Sequence, residues 1–175
     1  MKLHLGCGVR NFGPDWYHVD NEIYDHIQWR DVTKIPFRSN TCDIVYASHL
    51  FEYFDRQEAV NVLLEWKRVL KPEGILRLAV PDFEQLCNLY KGGLPMDSVI
   101  GPLYGKWSHP PIYHKTAYDF ESLSKVLESV GFKNVRRYDW RETEHAHIDD
   151  HSQAYVPHMD KENGTLISLN VECNK

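Results

Sequence analysis

The strongest constraint in this chain is a series of short apolar runs that each stop at a turn residue or an acid. Residues 2–5 (KLHL) run into Gly6, 17–19 (YHV) into Asp20, and 27–29 (IQW) end just before Asp31. Residues 43–47 (DIVYA) and 75–80 (ILRLAV) follow, the last ending at Pro81. Continuous apolar runs of this length, bounded by turn signals, read as strands buried on both faces. Residues 57–70 break the pattern. There Val60, Leu63, Leu64, Trp66 and Leu70 recur at helical spacing, and Lys71-Pro72-Glu73-Gly74 stops the helix.

Further along, 82–90 is a second helix ended by Gly92-Gly93, and 120–130 a third closed by Gly131. Residues 135–140 and 166–171 are late strands. The stretch 93–115, rich in proline and glycine, reads as an irregular insertion, and 141–164 as a long polar segment. Strands alternating with helices predict an α/β chain. The expected architecture is a doubly wound, Rossmann-like sheet of about seven mostly parallel strands with helices on both faces. A length of 175 residues suits one domain spanning 1–175.

The net charge of -5 disfavours nucleic acid as a partner. Cys7, Cys42, Cys87 and Cys173 form no CxxC pair and read as reduced thiols. No signal-like leader and no run of membrane-spanning length is visible, so a soluble, cytoplasmic protein without a membrane partner is expected.

In such sheets ligands bind beyond the carboxyl ends of the strands, where strand order reverses. Gly6-Cys7-Gly8 lets the backbone turn sharply and approach a ligand. Asp20 ends the second strand, where a carboxylate can accept from two ribose hydroxyls. Only twelve positions separate Gly8 from Asp20, and a third glycine is missing. The short spacing requires an abbreviated first crossover, and the missing glycine argues against NAD. Asp31 can accept from an adenine amino group. Each residue also has a plain reading: a tight turn, a cap, a solvated loop.

The polar segment gathers His145, His147, Asp149, Asp150, His151, His158 and Asp160. Histidine titrates near neutrality and suits proton abstraction. Three other readings stay open: a solvated loop, hydrogen bonding beneath the sheet, and a divalent metal site. In the insertion, Tyr104, Trp107, His109 and Tyr113 form a sugar-binding wall or a packed loop. Asp82 contacts an acceptor or caps the helix that follows it. Arg136, Arg137 and Arg141 meet a phosphate or form surface salt bridges.

Five segments appear in a telling order: LHLGCG at 3–8, WYHVD at 16–20, DVTKIPF at 31–37, CDIVYASH at 42–49 and RVLKPEGILRL at 68–78. Together they resemble the class I S-adenosylmethionine (SAM)-dependent methyltransferases, of the group similar to methyltransferase type 11 proteins. The tail from Asp139 resembles a short subgroup associated with polysaccharide biosynthesis. The resemblance implies SAM as cofactor. Gly6, Cys7 and Gly8 would face its methionine part, Asp20 its ribose, and Asp31 with Val32 its adenine. Ser48 and His49 would lie near the sulfonium and the acceptor. Two departures stand out: Glu73 where glycine is commoner, and Phe51-Glu52-Tyr53-Phe54 in place of L-E-H-[FIL].

The implied reaction is methyl transfer to a small polar acceptor, a hydroxyl of a sugar or of a possibly phosphorylated sugar precursor. Candidate bases are His145 and His151, then His49 and His114, with no metal assigned. The alternatives are a metal-assisted O-methyltransferase and a catalytically silent SAM-binding partner subunit. The short first crossover suggests a homodimer or a mobile lid.

Overall fold

Alternation along the strands decides how this sheet is covered. A computed structural model describes residues 1–105 and 112–175. Trp107 and His109 of the insertion lie outside the described residues. Seven strands form the main sheet: β1 (Lys2–Leu5), β2 (Trp16–Val19), β3 (Ile27–Trp29), β4 (Cys42–Ser48), β5 (Leu70–Pro81), β6 (Lys133–Arg137) and, after a small hairpin of β7 (Tyr155–Val156) and β8 (Thr165–Leu166), β9 (Ser168–Asn174). Their order is β3-β2-β1-β4-β5-β9-β6, with β9 antiparallel to both neighbours. Strand order reverses between β1 and β4, which opens the crevice at their carboxyl ends.

Leu3 and Leu5 of β1, Val45 and Ala47 of β4, Leu76, Leu78 and Val80 of β5, and Leu169, Val171 and Cys173 of β9 share one core. Two helices cover them: α1 (Arg56–Val69) with Ala59, Val62, Leu63, Trp66 and Val69, and α4 (Phe120–Ser129) with Leu123 and Leu127. Asp55 and Glu58 close a capping box at the start of α1, satisfying donors that a helix end leaves free. Val60 and Leu64, part of the periodic pattern, face outward.

The alternate strand residues give the opposite face: Trp16 and His18, His4, Tyr46, Arg77, then Asn170 and Glu172. The seven-stranded, mostly parallel sheet is as expected, but this second face is covered by no α-helix among the described residues, only by the short 3₁₀ turn His151–Gln153 and its flanks. Residues 139–153 lie over it instead. Phe12, from the β1–β2 link, stacks between His4 at 3.9 Å and His145 at 4.3 Å. Arg77 pairs with Glu144 and Glu172, and the Tyr46 hydroxyl donates to Asp150 at 2.5 Å. The links after β1 (residues 6–15) and after β2 (20–26) carry no helix. The face these links leave open is the one that the late segment fills.

Two expectations need correction. The insertion is not irregular throughout, because it contains helix α3 (Met96–Tyr104), with Pro102 inside it. Gly101 and Pro102 read as breakers, yet Val99 packs with Leu86 of α2 (Phe83–Lys91) and with Ile167, and tertiary burial outweighs local propensity. Residues 71–74 do not end in a free turn either. They belong to β5, with a register shift against β4. Glu73 adopts φ +62°, the left-handed region that makes glycine commoner there.

Candidate active site

The site is assembled at the carboxyl ends of β1, β2, β3 and β4. Gly6 turns with φ +64°, and its amide donates to the Val19 carbonyl at 2.8 Å. A Cβ on Gly6 would press on the Leu50 side chain at 3.0 Å, while none would meet an atom at Gly8. Asp20 ties the two strand ends together. Its carboxylate accepts from the Gly8 amide at 2.8 Å and from the Glu22 amide at 2.9 Å. A carboxylate has about four acceptor sites, so Asp20 can still accept two hydroxyls. Asp31 accepts from the amide and hydroxyl of Thr33, which holds its carboxyl below the usual range. The indole of Trp66 donates to the Val32 carbonyl at 2.8 Å and fixes that loop to α1.

Gly6, Asp20, Asp31, Val32, His49 and Tyr53 line one cleft of about 390 Å³. A second cavity of about 400 Å³ is lined by His49, Tyr53, His114, His151, Ala154 and Ile167. A third, of about 140 Å³, is lined by His4, Gly6, Arg10, Ser48, His49, Asp150 and His151. His49 borders all three. It follows β4 with φ +49°, an uncommon conformation for a residue with a Cβ, and its amide donates to the Ala79 carbonyl at 2.7 Å. Burial pushes the His49, His114 and His151 imidazoles below their ordinary range. Near neutral pH all three hold a free lone pair.

The histidine candidates therefore separate. His49, His114 and His151 meet at one cavity. His145 is buried beneath the sheet in the aromatic cluster, with neither ring nitrogen hydrogen bonded, and burial pushes it down to about 4. The structure does not bring it to the three cavities. Asp150 caps the turn at His151–Gln153 and accepts from Ser152. Asp82 caps α2, and Arg137 pairs with it. The Cys7 thiol is buried and pushed up to about 12, mainly by burial. Only the Cys7 backbone contributes to the turn.

Residue-by-residue reading of the sequence missed Glu52, Arg10 and Ser168. Glu52 is fully buried, and among the described residues neither carboxyl oxygen has a hydrogen-bond partner. Its signal is Phe51-Glu52-Tyr53-Phe54, which keeps the glutamate of L-E-H-[FIL] and departs from it at the tyrosine.

Residues 15–78 match the family model described as a methyltransferase domain, a stretch that holds Asp20, Asp31, Val32, Ser48, His49 and Glu52. Among curated proteins, none matches the sequence. Solved structures share the fold. A SAM-dependent methyltransferase from Archaeoglobus fulgidus is 16% identical with a TM-score of 0.57, covering 99% of this chain and 85% of that one. One from Methanosarcina mazei is 13% identical with a TM-score of 0.59, covering 99% and 91%. A putative methyltransferase from Haloferax volcanii, solved with the Trm112 methyltransferase activator, is 14% identical with a TM-score of 0.57, covering 99% and 81%.

Fold and matched segment together support a SAM-dependent methyltransferase. S-adenosylmethionine is the cofactor this implies, and the residues present fit it. The cleft has a size suited to a small ligand, a carboxylate with spare acceptor sites in Asp20, and a bare backbone at Gly6 and Gly8. The Ser48 hydroxyl is buried, with no partner among the described residues, at the rim of the adjoining cavity. Among the described residues, no three His, Cys, Asp or Glu side chains are grouped so as to hold a metal ion, and no helix is long and apolar enough to cross a membrane.

Proposed function

We propose that this methyltransferase acts on a hydroxyl of a small polar acceptor, a sugar or phosphorylated sugar precursor, in a cytoplasmic polysaccharide pathway. The observation that carries the reading is His49. Its imidazole borders both the cleft with the ribose-binding carboxylate and the second cavity, so one side chain stands between a donor site and an acceptor site. SAM supplies an already activated methyl group on a sulfonium. The protein's own task is to align the acceptor and take its proton, contributions that proximity and general-base catalysis make large.

His49 is the proposed proton acceptor, with His151 beside it at a ring separation of 5.2 Å. Tyr53 and Ile167 offer an aromatic and an apolar surface for a sugar ring. Arg10, on the adjoining cavity, suits a phosphate. His145 takes no part in the chemistry in this reading.

Calorimetric titration with SAM and with S-adenosylhomocysteine tests the reading. Wild-type protein binds both. Asp20→Ala weakens both by about 10- to 100-fold, the worth of hydrogen bonds to a charged acceptor. A folded wild-type protein that binds neither overturns the reading.

One observation favours an addition. Val9, Ile23, Tyr24 and Trp29 are exposed apolar residues, and Ile23 and Tyr24 directly follow Asn21 and Glu22 of the cleft wall. A second copy of the chain seated there would cover the edge that the helix-free links leave bare. Light scattering that gives a monomer with and without SAM removes this dimer. The activator bound by the Haloferax volcanii relative gives a precedent for a partner subunit instead.

A further inference from the structure

Three cavities meet at His49, and the sulfur of SAM carries three arms. The cleft of Asp20 and Asp31 suits the adenosyl arm. The cavity of Tyr53, His114 and Ile167 has no Asp, Glu, Lys or Arg in its wall among the described residues. The third cavity, of about 140 Å³, presents two charges of opposite sign, Arg10 and Asp150. It shares Gly6 as well as His49 with the adenosyl cleft, so a ligand passing from one to the other crosses bare backbone.

Sheets of this type bring a helix N-terminus to the ligand end of the first strand, where its free amides favour an anion. Here residues 6–15 form no helix, so that source of positive potential is missing. Arg10 stands in the same link. Its Nε donates to the Asp149 carbonyl at 3.1 Å, which ties the link to the late polar segment, and among the described residues no carboxylate pairs with its guanidinium. Asp150 is fixed by the Tyr46 hydroxyl and by the amide and hydroxyl of Ser152. These fill three of its about four acceptor sites and leave one for a ligand. Ser48 Oγ and His4 Nδ1 belong to buried side chains of the same wall and have no partner among the described residues. Buried polar atoms of this kind require an explanation, and a polar ligand end supplies one.

We propose that Arg10 and Asp150 form a zwitterion pocket for the amino-acid arm of SAM, in which one side chain and the late polar segment replace the helix that the first link lacks. The proposal rests on the methyltransferase reading. The planar fork of a guanidinium matches a carboxylate through two parallel hydrogen bonds, and the spare site of Asp150 accepts from an ammonium. A guanidinium suits a phosphate of the acceptor as well. The wall decides between the two anions: the charged pocket continues the adenosyl cleft through Gly6, whereas the cavity of Tyr53 and His114 does not reach Gly6.

Two arms are then accounted for, and the direction left for the methyl group is the uncharged cavity. The pocket also couples the cofactor to the late segment. Asp150 and His151 line it, and the Asp149 carbonyl holds Arg10, so the amino-acid arm and the segment stabilise each other by mass action. A nucleoside without that arm leaves the segment as it is.

The test compares S-adenosylhomocysteine with 5′-methylthioadenosine, which keeps the nucleoside and the thioether but lacks the amino acid. In titration calorimetry the wild type should bind S-adenosylhomocysteine at least about 10-fold more tightly. Arg10→Met should weaken S-adenosylhomocysteine by about 10- to 100-fold and leave 5′-methylthioadenosine within about 2-fold, which also shows that the variant is folded. Hydrogen exchange on the wild type needs no variant. S-adenosylhomocysteine should slow the amides of Ser152, Gln153 and Ala154, which close the turn on Asp150 and His151, and 5′-methylthioadenosine should not. Equal affinity of the two probes, equal weakening of both in folded Arg10→Met, or exchange that responds to both alike or to neither overturns the proposal. Unchanged S-adenosylhomocysteine affinity in Arg10→Met, beside an Arg10-dependent site for inorganic phosphate, gives the pocket to the acceptor and also overturns it. All these outcomes leave the methyltransferase reading intact. Failure of folded wild-type protein to bind SAM or S-adenosylhomocysteine overturns both.

Discussion

The two faces of the sheet are built from opposite materials. On one, Leu, Val and Ala from five strands meet α1 and α4, a dry interface stabilised by the area it removes from water. On the other, His4, Trp16, Tyr46 and Arg77 meet residues 139–153, which have no α-helix and few apolar side chains. There the contacts are stacked rings, the hydrogen bond from Tyr46 to Asp150, and the ion pairs of Arg77. The first face is non-specific in chemistry and tolerant of repacking. The second is directional, and every member must find its partner. It also bears on function. The segment that fills this face emerges from it at Asp150 and delivers His151 to the cavity that His49 and His114 also line. A polar cover thus links the back of the sheet to the active site, which an apolar helix on that face would not do.

The contrast can be broken from either side. Trp66→Ala removes a fully buried ring from the apolar face and its bond to Val32. It should cost about 3–5 kcal/mol, read from denaturant melts, and a cost below about 1 kcal/mol would mean that this face is not the main source of stability. The polar face should respond to acid. His145 has a folded pKa of about 4 against its ordinary 6.5, so the unfolded chain takes the proton first. Its stabilisation is intact above pH 6.5 and is lost as pH falls toward 4, by about 3 kcal/mol in total. His4 shifts the same way. His145→Phe, melted across that range, should flatten most of the His145 share, and an unchanged slope would put the acid sensitivity elsewhere. Tyr46→Phe keeps the ring and deletes the bond to Asp150, at about 2 kcal/mol. A melt unchanged by Tyr46→Phe would show that this bond is not holding the segment. Leu64→Ala, on the outer side of α1, should move the melt by less than about 0.5 kcal/mol, which sharpens the claim that only the inward stripe of that helix counts.

Strands ending at Gly6, Asp20 and Pro81 were legible because each run is short, apolar and closed by a turn residue or an acid. Helix α1 was legible through its period, the cleft residues Gly6, Asp20 and Asp31 follow from strand ends, and Val32 from the family resemblance. Helix α3 was not, since Gly101 and Pro102 contradict it locally and only packing on Leu86 and Ile167 sustains it. Glu52 was not, because nothing near it in sequence tells that its carboxyl is sealed from water.

By itself, the sequence determined the order of strands and helices, the turn at the first glycines and the acids at the strand ends, all set by interactions within a few residues. The tertiary structure decided which of two neighbouring histidines opens on a cavity. His145 and His151 lie in the same polar stretch, with similar neighbours. One is sealed against Phe12 and the other opens on the cavity, through contacts such as Tyr46 with Asp150, 104 positions apart. Local spacing carries no record of such pairings, because the free energy that fixes them arises only when the sheet has formed and its second face needs a cover.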